Sequence, residues 1–267
     1  MKKRKIKKRY IIIAFLILTI LCAALPPTRS CLIMSIYSSI ENSKSVMHEN
    51  NFKIDIPSNK EWYPFVITFN PINFGVWSKT DADMSIMYNF AKFDLKTMSS
   101  EILDPESEKN STFYGAYALS QQDGFFGFKD GEINMDEIAL TFKYDYRLLV
   151  LRDIGCDLPF FEVDDFEIEN NVEFLEEGGW IKIDAVLKTN SMIHNYKEFH
   201  TNYIQYGRPK YTVNEDFPEI DMYGRLYAKA FEEYNCTVIF YVMSPSLDTI
   251  ENCDRQLLQK STIETID

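Results

Sequence analysis

Residues 236–243 read CTVIFYVM, a run of apolar residues interrupted only by one threonine. A short run of this kind, rich in β-branched and aromatic side chains, is typical of a strand that is covered on both of its faces. We therefore expect Cys236–Met243 to be a central strand of a sheet. The segments on either side of it must then supply the layers that cover it.

Two helices are predicted beside this strand. Within Glu219–Tyr234 the apolar side chains recur at spacings of three and four, which predicts an amphipathic helix. Gly224 would weaken that helix by about 1 kcal/mol relative to alanine. After the strand, residues 244–246 (Ser-Pro-Ser) can cap a helix over Leu247–Lys260, which has acidic residues near its start and basic residues near its end. Together these segments predict a C-terminal helix–strand–helix unit.

Between residues 62 and 187 the sequence favours β-structure. The longest alternation of apolar and polar residues is Ile138–Leu148, which predicts a half-buried strand. Shorter predicted strands are Pro64–Asn70, Met84–Phe90, Phe113–Leu119 and Trp180–Leu187. Residues 123–124 and 130–131 (Asp-Gly) and 178–179 (Gly-Gly) predict tight turns, and short turns join antiparallel neighbours. Residues 96–112 and 157–172 are expected to be acidic loops.

Aromatic residues make up 15% of the chain and hydrophobic residues 46%, a composition typical of a folded domain. The predicted fold class is therefore α+β: an antiparallel, aromatic-rich sheet completed by the C-terminal helix–strand–helix unit. We expect this α+β domain to occupy residues 61–267.

A separate N-terminal segment precedes this domain. Tyr10–Leu25 reads YIIIAFLILTILCAAL, sixteen residues without a charge, and follows the head MKKRKIKKR with its seven basic residues. As a helix the run would be roughly 24 Å long, somewhat shorter than the roughly 30 Å hydrocarbon core. It is either an uncleaved anchor or a signal peptide that is cut after residues 22–24 (Cys-Ala-Ala). Pro26 and Pro27 are expected to end the helix.

Basic flanks stay on the cytoplasmic side of a membrane, so both alternatives place the rest of the chain outside the cytoplasm. The predicted organisation is a cytoplasmic basic head (1–9), a transmembrane anchor or signal segment (10–27), a stalk (28–60) and an extracytoplasmic domain (61–267). The predicted location is the cell membrane, crossed once and contacted through residues 10–25, or the exterior if the segment is cleaved.

The charge of the remaining chain limits its partners. From residue 31 onward there are 20 basic and 40 acidic residues, a net charge of −20. Such a domain repels nucleic acid, so no nucleic-acid partner is expected. Cys156, Cys236 and Cys253 are widely spaced, which allows one disulfide at most or isolated buried thiols.

Histidines and carboxylates are the main candidates for catalysis. His194 and His200 lie six residues apart and could converge with Asp184 or Glu198, but metal-binding pairs on a helix are spaced by three or four residues. Neither GxGxxG, nor a phosphate-binding loop, nor GxSxG occurs, so we expect no cofactor, no metal site and no serine-hydrolase elbow. The catalytic residues, if there are any, are unknown.

Carboxylate pairs and tryptophans give a weaker indication. Pairs such as Asp164 and Asp165 are abundant, and a glycosidase needs two carboxylates across a cleft. Trp62, Trp77 and Trp180 are either a platform for sugars or core residues. Two hypotheses follow: a membrane-tethered accessory or interaction domain that recognises a protein or a cell-envelope component, or an envelope hydrolase that uses carboxylates.

Overall fold

A computed structural model describes residues 8–24, 26–62, 66–89, 93–94, 99–104, 106–151, 156, 158–190 and 218–266. Within these residues the protein is a mixed α and β structure built around one large antiparallel sheet. The helices are α1 (Lys8–Ala24), α2 (Pro26–Asn42), α3 (Val46–Glu49), α4 (Phe74–Ser78), α5 (Met135–Phe142), a π-helix (Lys143–Leu151) and α6 (Leu247–Gln256), with short 3₁₀ turns at Glu101–Leu103 and Leu258–Lys260.

The large sheet has seven strands in the order β2-β3-β6-β12-β11-β10-β9. Its strands are β2 (Val66–Phe69), β3 (Asp83–Asn89), β6 (Phe113–Ser120), β9 (Phe161–Phe174), β10 (Glu177–Thr189), β11 (Ile220–Phe231) and β12 (Cys236–Ser244). Three two-stranded ladders join β1 (Phe52–Asp55) with β13 (Thr262–Thr265), β4 (Phe93–Asp94) with β5 (Ser99–Ser100), and β7 (Phe128–Lys129) with β8 (Glu132–Ile133). Every strand pairing among the described residues is antiparallel.

The prediction of a central strand over Cys236–Met243 is confirmed. β12 pairs with β6 on one side and β11 on the other, and all of its residues are buried. Alternate residues enter two separate hydrophobic clusters: Ile239, Tyr241 and Met243 pack on the face covered by α5, and Val238, Phe240 and Val242 pack on the face covered by α6. The strand is apolar throughout because both of its faces are core.

Two predicted elements are wrong, and so is the predicted helix–strand–helix unit. Glu219–Tyr234 contains strand β11 rather than a helix, so the unit is strand–strand–helix. Conversely, Ile138–Leu148 belongs to α5 and the π-helix rather than to a strand. The apolar side chains of β11 face both clusters, so a period of two is hidden by apolar residues on both sides.

Other predictions agree with the structure. The predicted helix after residue 246 is present as α6, and Ser246 caps it by accepting a hydrogen bond from Thr249 N at 3.3 Å. The turn at residues 130–131 closes the β7–β8 hairpin with φ values of 54° and 83°, as a tight two-residue turn requires. Residues 157–172, expected to be a loop, instead contribute most of β9.

The N-terminal segment forms two helices. α1 has 17 residues and its side chains are exposed from Arg9 to Ile20. Pro26 and Pro27 open α2, a position that suits proline because the first helical N–H groups have no partner in the helix. Among the described residues, no helix meets the combined length and hydropathy needed to cross a membrane.

Much of the segment expected to be a stalk is folded onto the sheet. In α2, Met34 is buried, Ser38 Oγ accepts a hydrogen bond from Thr68 N at 2.9 Å, and the Glu41 carbonyl accepts one from Asn70 Nδ2 at 2.6 Å. Further along, Val46, Met47, Phe52, Ile54 and Ile56 are buried in the α6-side cluster. The folded domain therefore begins before residue 61.

Candidate functional site

Of the predicted catalytic group, only Asp184 lies in the part of the chain that the structure describes. His194, Glu198 and His200 fall within 191–217, outside the described residues. Asp184 lies on β10, on the α6 side of the sheet, where it faces Arg225 across the β10–β11 ladder.

Arg225 is the centre of a network of ion pairs that we call the Arg225 cluster (Lys182, Asp184, Arg225, Glu251 and Asp254). Its guanidinium contacts three carboxylates: Nε lies 2.6 Å from Asp184 Oδ1, Nη2 lies 2.8 Å from Glu251 Oε1 and Nη1 lies 3.0 Å from Asp254 Oδ2. Lys182 Nζ lies 3.0 Å from Asp184 Oδ2. The cluster thus joins two strands of the sheet to α6.

The ion pairs decide the protonation state of Asp184. Burial raises the pKa of Asp184, but hydrogen bonds from Arg225 and Lys182 outweigh this effect and leave the pKa below its usual value. A hydrogen bond from Arg225 likewise lowers the pKa of Glu251. Both groups are therefore carboxylates at neutral pH and unsuited to donate a proton, since a general acid needs a pKa near the operating pH.

A groove of about 280 Å³ runs along the sheet beside this cluster. One side carries the acidic residues Asp165, Glu167 and Asp184, and the other carries Leu247 and Ile250 of α6. Leu247 is 53% exposed although it is a large apolar residue. The groove therefore combines an acidic wall with an apolar wall.

Strand β9 borders the groove and is the last strand in the sheet order. It has 14 residues, and its register with β10 is regular from Asp165 to Glu169. Within the described residues no strand pairs with its outer side. A strand edge offers unpaired N–H and C=O groups to any further strand.

On the opposite face of the sheet, a different polar cluster is fully enclosed. We call it the Asp145 cluster (Tyr88, Tyr117, Asp145 and Tyr241). The Asp145 side chain, 1% exposed on the π-helix, accepts hydrogen bonds from the hydroxyls of Tyr88 and Tyr117, the second at 2.5 Å. The Tyr241 hydroxyl lies 3.4 Å from Asp145 Oδ2. These phenols come from three adjacent strands, β3, β6 and β12.

Gly115 on β6 makes room for this convergence. It lies opposite Tyr88 in the β3 ladder and opposite Tyr241 in the β12 ladder. A Cβ atom at this position would overlap the carbonyl oxygen of Met87 and lie 3.2 Å from the Tyr241 hydroxyl. Glycine therefore allows the neighbouring strands and their phenols to approach.

Burial raises the pKa of Asp145 to about 7, against hydrogen bonds from Tyr117, Tyr88 and Tyr241 that lower it. Burial also raises the pKa of Tyr117 and of Tyr241 well above the usual value for tyrosine. A carboxyl group with this pKa can exchange protons near neutrality. However, every member of the cluster is at most 1% exposed, so the site lacks direct access for a substrate in this conformation.

The tryptophans do not form a sugar-binding platform. Trp62 and Trp180 are completely buried, and Trp77 packs against Tyr144 with ring centroids 5.4 Å apart. Within the described residues, no group of three or more histidine, cysteine, aspartate or glutamate side chains could hold a metal ion. Cys156, Cys236 and Cys253 are buried and form no disulfide with one another.

Comparison with known proteins found no matching family model, no similar curated protein and no similar solved structure.

Sequence reasoning missed most of the residues in both clusters. The alternation over Ile138–Leu148 predicts a strand with Asp145 on its polar face, and the helix predicted over Glu219–Tyr234 contains Arg225. Tyr88 and Tyr117 lie on strands that the sequence predicts, and both are buried in the α5-side cluster. Asp145 alternates with Lys143 and Arg147 in the sequence, so its neighbours give no local signal for the enclosed cluster.

Proposed function

We propose that the protein is a membrane-tethered, extracytoplasmic interaction domain that recognises a protein or a cell-envelope component. The observation that carries this proposal is the exposure of α1. Its large apolar residues are 43–69% exposed between Tyr10 and Ile20, on every side of the helix. A helix that is apolar all round suits a lipid environment better than water.

The exposed apolar surface continues onto α2. Leu32, Ile33, Ile36 and Ile40 are 39–53% exposed and fall within an arc of about 100° on the helix. Met34 lies on the other side of α2, buried against the sheet. We infer that α1 enters the bilayer and that the outer face of α2 lies against the membrane interface, while its inner face carries the domain.

α1 is shorter than a typical membrane span, so the proposal requires the bilayer to adapt to it. A helix of 17 residues is about 25 Å long, about 5 Å shorter than the hydrocarbon core. Local thinning of the bilayer and snorkelling of flanking lysines cover mismatches of this size at modest cost. The basic residues before Tyr10 favour a cytoplasmic head and an exterior domain.

The hydrolase hypothesis has less support. Asp184, its one candidate residue in the described part of the chain, is bound to Arg225 and Lys182. A carboxylate held by two cations is a poor proton donor. An open strand edge beside an acidic and apolar groove is more typical of recognition.

The proposal is tested with the full chain, tagged at its C-terminus and expressed in cells. We expect the chain to resist extraction at high pH and the tag to be cleaved by protease added to intact cells. Mass spectrometry of the N-terminus separates the anchor, which retains residues 1–9, from the cleaved signal. A tag protected in intact cells and cleaved only after permeabilisation would disprove the exterior location.

A matched pair of variants tests the role of α1. Leu16→Glu with Leu18→Glu places two charges on the helix, and we expect the chain to move to the soluble fraction. Ile72→Glu with Val76→Glu is the control, because these residues are apolar and 92% and 83% exposed, but lie on the folded domain. Equal behaviour of the two pairs would show that α1 is not the tether.

A further inference from the structure

We propose that the groove and the edge of β9 bind an extended, cationic segment of a partner protein, which adds to the sheet as an eighth strand. This inference specifies the partner chemistry of the interaction domain and therefore rests on the proposed function. It depends on three features of the described residues: an open strand edge, an apolar wall and an unbalanced negative charge.

The edge itself has the geometry for strand addition. From Asp165 to Glu169 the register of β9 with β10 has no shift, so the outer N–H and C=O groups alternate regularly along this stretch. A peptide that pairs with it would form main-chain hydrogen bonds without regard to its sequence, and side-chain contacts would then give specificity.

The side chains of this stretch divide by face. Asp165, Glu167 and Glu169 lie on the α6 side of β9, two residues apart, and Asp165 and Glu167 line the groove. Phe166 and Ile168 alternate with them; Ile168 packs against the α5-side cluster, and Phe166 also borders the groove. Phe166 is 42% exposed. The matching segment therefore has lysine or arginine at every second position and apolar residues between them, because directly opposed cross-strand residues interact.

Charge at the groove is not balanced within the protein. Glu169 pairs with Lys182 at 2.7 Å, and Arg225 is surrounded by three carboxylates. Within the described residues, Asp165 and Glu167 have no ion-pair partner, although Asp165 Oδ1 accepts a hydrogen bond from Phe166 N at 2.9 Å. These two carboxylates at the mouth of the groove therefore lack a counter-charge and can pair with a cation from outside.

The same charges exclude other occupants. A second copy of β9 would place acidic residues opposite acidic residues, which is unfavourable. A neutral strand would leave Asp165 and Glu167 without compensation. The acidic edge repels an acidic strand but attracts a cationic one. We therefore expect the partner segment to be cationic.

The test uses the purified full chain in detergent micelles and fluorescence anisotropy of labelled peptides. The probe alternates lysine and valine. One comparison peptide alternates glutamate and valine, and another has the composition of the probe with its lysines and valines in separate blocks. We expect the alternating cationic probe to bind about tenfold more tightly than the block peptide, with an affinity that falls at high salt.

Paired variants identify the surface. Asp165→Lys with Glu167→Lys should weaken probe binding by about tenfold or more, because attraction becomes repulsion. Glu232→Lys with Glu233→Lys makes the same change in net charge at an exposed turn and should leave the affinity within about twofold. Equal losses of affinity in the two variants would show that binding depends only on net charge, and would overturn the proposal.

Backbone N-methylation tests strand addition itself. Methylating every lysine N–H blocks one edge of the peptide, and methylating every valine N–H blocks the other. Because a strand docks by one edge, one pattern should abolish binding and the other should preserve it. If both patterns bind as the probe does, strand addition is wrong.

The outcome is independent of the tether. The double variant Leu16→Glu with Leu18→Glu lies outside the groove and should bind the probe as the unaltered chain does. Probe binding without membrane attachment would refute only the proposed tether. Membrane attachment without binding of the alternating probe would refute only the peptide groove.

Discussion

On one face of the seven-stranded sheet the buried Asp145 is surrounded by phenols, whereas on the other face the buried Asp254 lies against the guanidinium of Arg225. Both side chains are almost inaccessible, at 1% and 2% exposure. The partners of Asp145 are neutral phenols, whereas Asp254 is paired with the positive charge of Arg225. Two carboxyl groups at similar depth are thus stabilised in different ways, one by neutral hydrogen-bond donors and the other by a counter-charge.

The pKa shifts of Asp145 in one cluster and of Asp184 and Glu251 in the other have opposite signs. The pKa of Asp145 is raised in the folded state to about 7, so the folded state holds a proton that the unfolded state releases. Its contribution to stability is complete below the unfolded pKa near 4 and is lost as the pH rises towards 7. The pKa values of Asp184 and Glu251 are lowered, so their contributions are lost as the pH falls through the acid range.

The largest expected effect comes from removing Arg225. Arg225→Met would leave Asp254 buried without a cation and three carboxylates close together, and we expect the free energy of unfolding to fall by about 3–5 kcal/mol. Denaturant unfolding measures this change. Lys53→Met is the control, because the pair Lys53–Glu264 joins β1 to β13 at the surface, with both side chains more than half exposed. We expect no measurable change in the free energy of unfolding for Lys53→Met. An equally small change for Arg225→Met would show that the Arg225 cluster does not stabilise the fold.

The next effect concerns pH. Between about pH 4 and pH 7 the unaltered protein should lose stability relative to Asp145→Asn, by up to about 4 kcal/mol, because asparagine cannot ionise. Unfolding curves of both proteins over this pH range give the difference directly, and contributions from other carboxylates cancel. A constant difference between the two proteins would mean that Asp145 keeps the same protonation state in the folded and unfolded states.

A smaller effect is expected from single phenols of the Asp145 cluster. Tyr117→Phe removes one donor to the buried carboxyl and should cost about 1–3 kcal/mol. It should also raise the pKa of Asp145 further, because that hydrogen bond lowers it. Tyr234→Phe is the control, since the Tyr234 hydroxyl forms an exposed hydrogen bond with Thr265 that water can replace. Equal losses in the two variants would contradict a special role for the enclosed phenol.

The two clusters also show how far the sequence leads. The central strand, the strands around Tyr88 and Tyr117, and the cap of α6 were predictable because their signals are local: apolar runs, alternation and Ser246 before a helix. The sequence predicts a helix where β11 lies and a strand where α5 and the π-helix lie, and both errors have a physical cause. β11 is covered on both faces, and the second half of the α5 region is a π-helix with hydrogen bonds between residues i and i+5, so neither shows its usual period.

The partners of the clusters are not encoded locally. Asp145 meets phenols from three strands, and Arg225 meets carboxylates from β10 and α6. An isolated Asp145 in the sequence gives no indication that Tyr88, 57 residues earlier, will donate to it. Predicting the clusters required the order of the strands, which is a property of the whole chain.

The smallest effect is expected at the rim of the Arg225 cluster. Glu251→Gln removes a carboxylate whose side chain is 62% exposed, while Asp184 and Asp254 still hold the guanidinium. We expect a loss of about 1 kcal/mol or less in the free energy of unfolding, weaker still at high salt, since exposed ion pairs contribute little and are screened. The comparison with Arg225→Met then shows whether the loss depends on burial or on the number of ion pairs broken. Both variants break ion pairs in one network, but only Arg225→Met leaves the buried Asp254 without a counter-charge. A loss at Glu251 as large as that at Arg225 would show that the three carboxylates act as one cooperative unit rather than as an exposed rim around a buried pair.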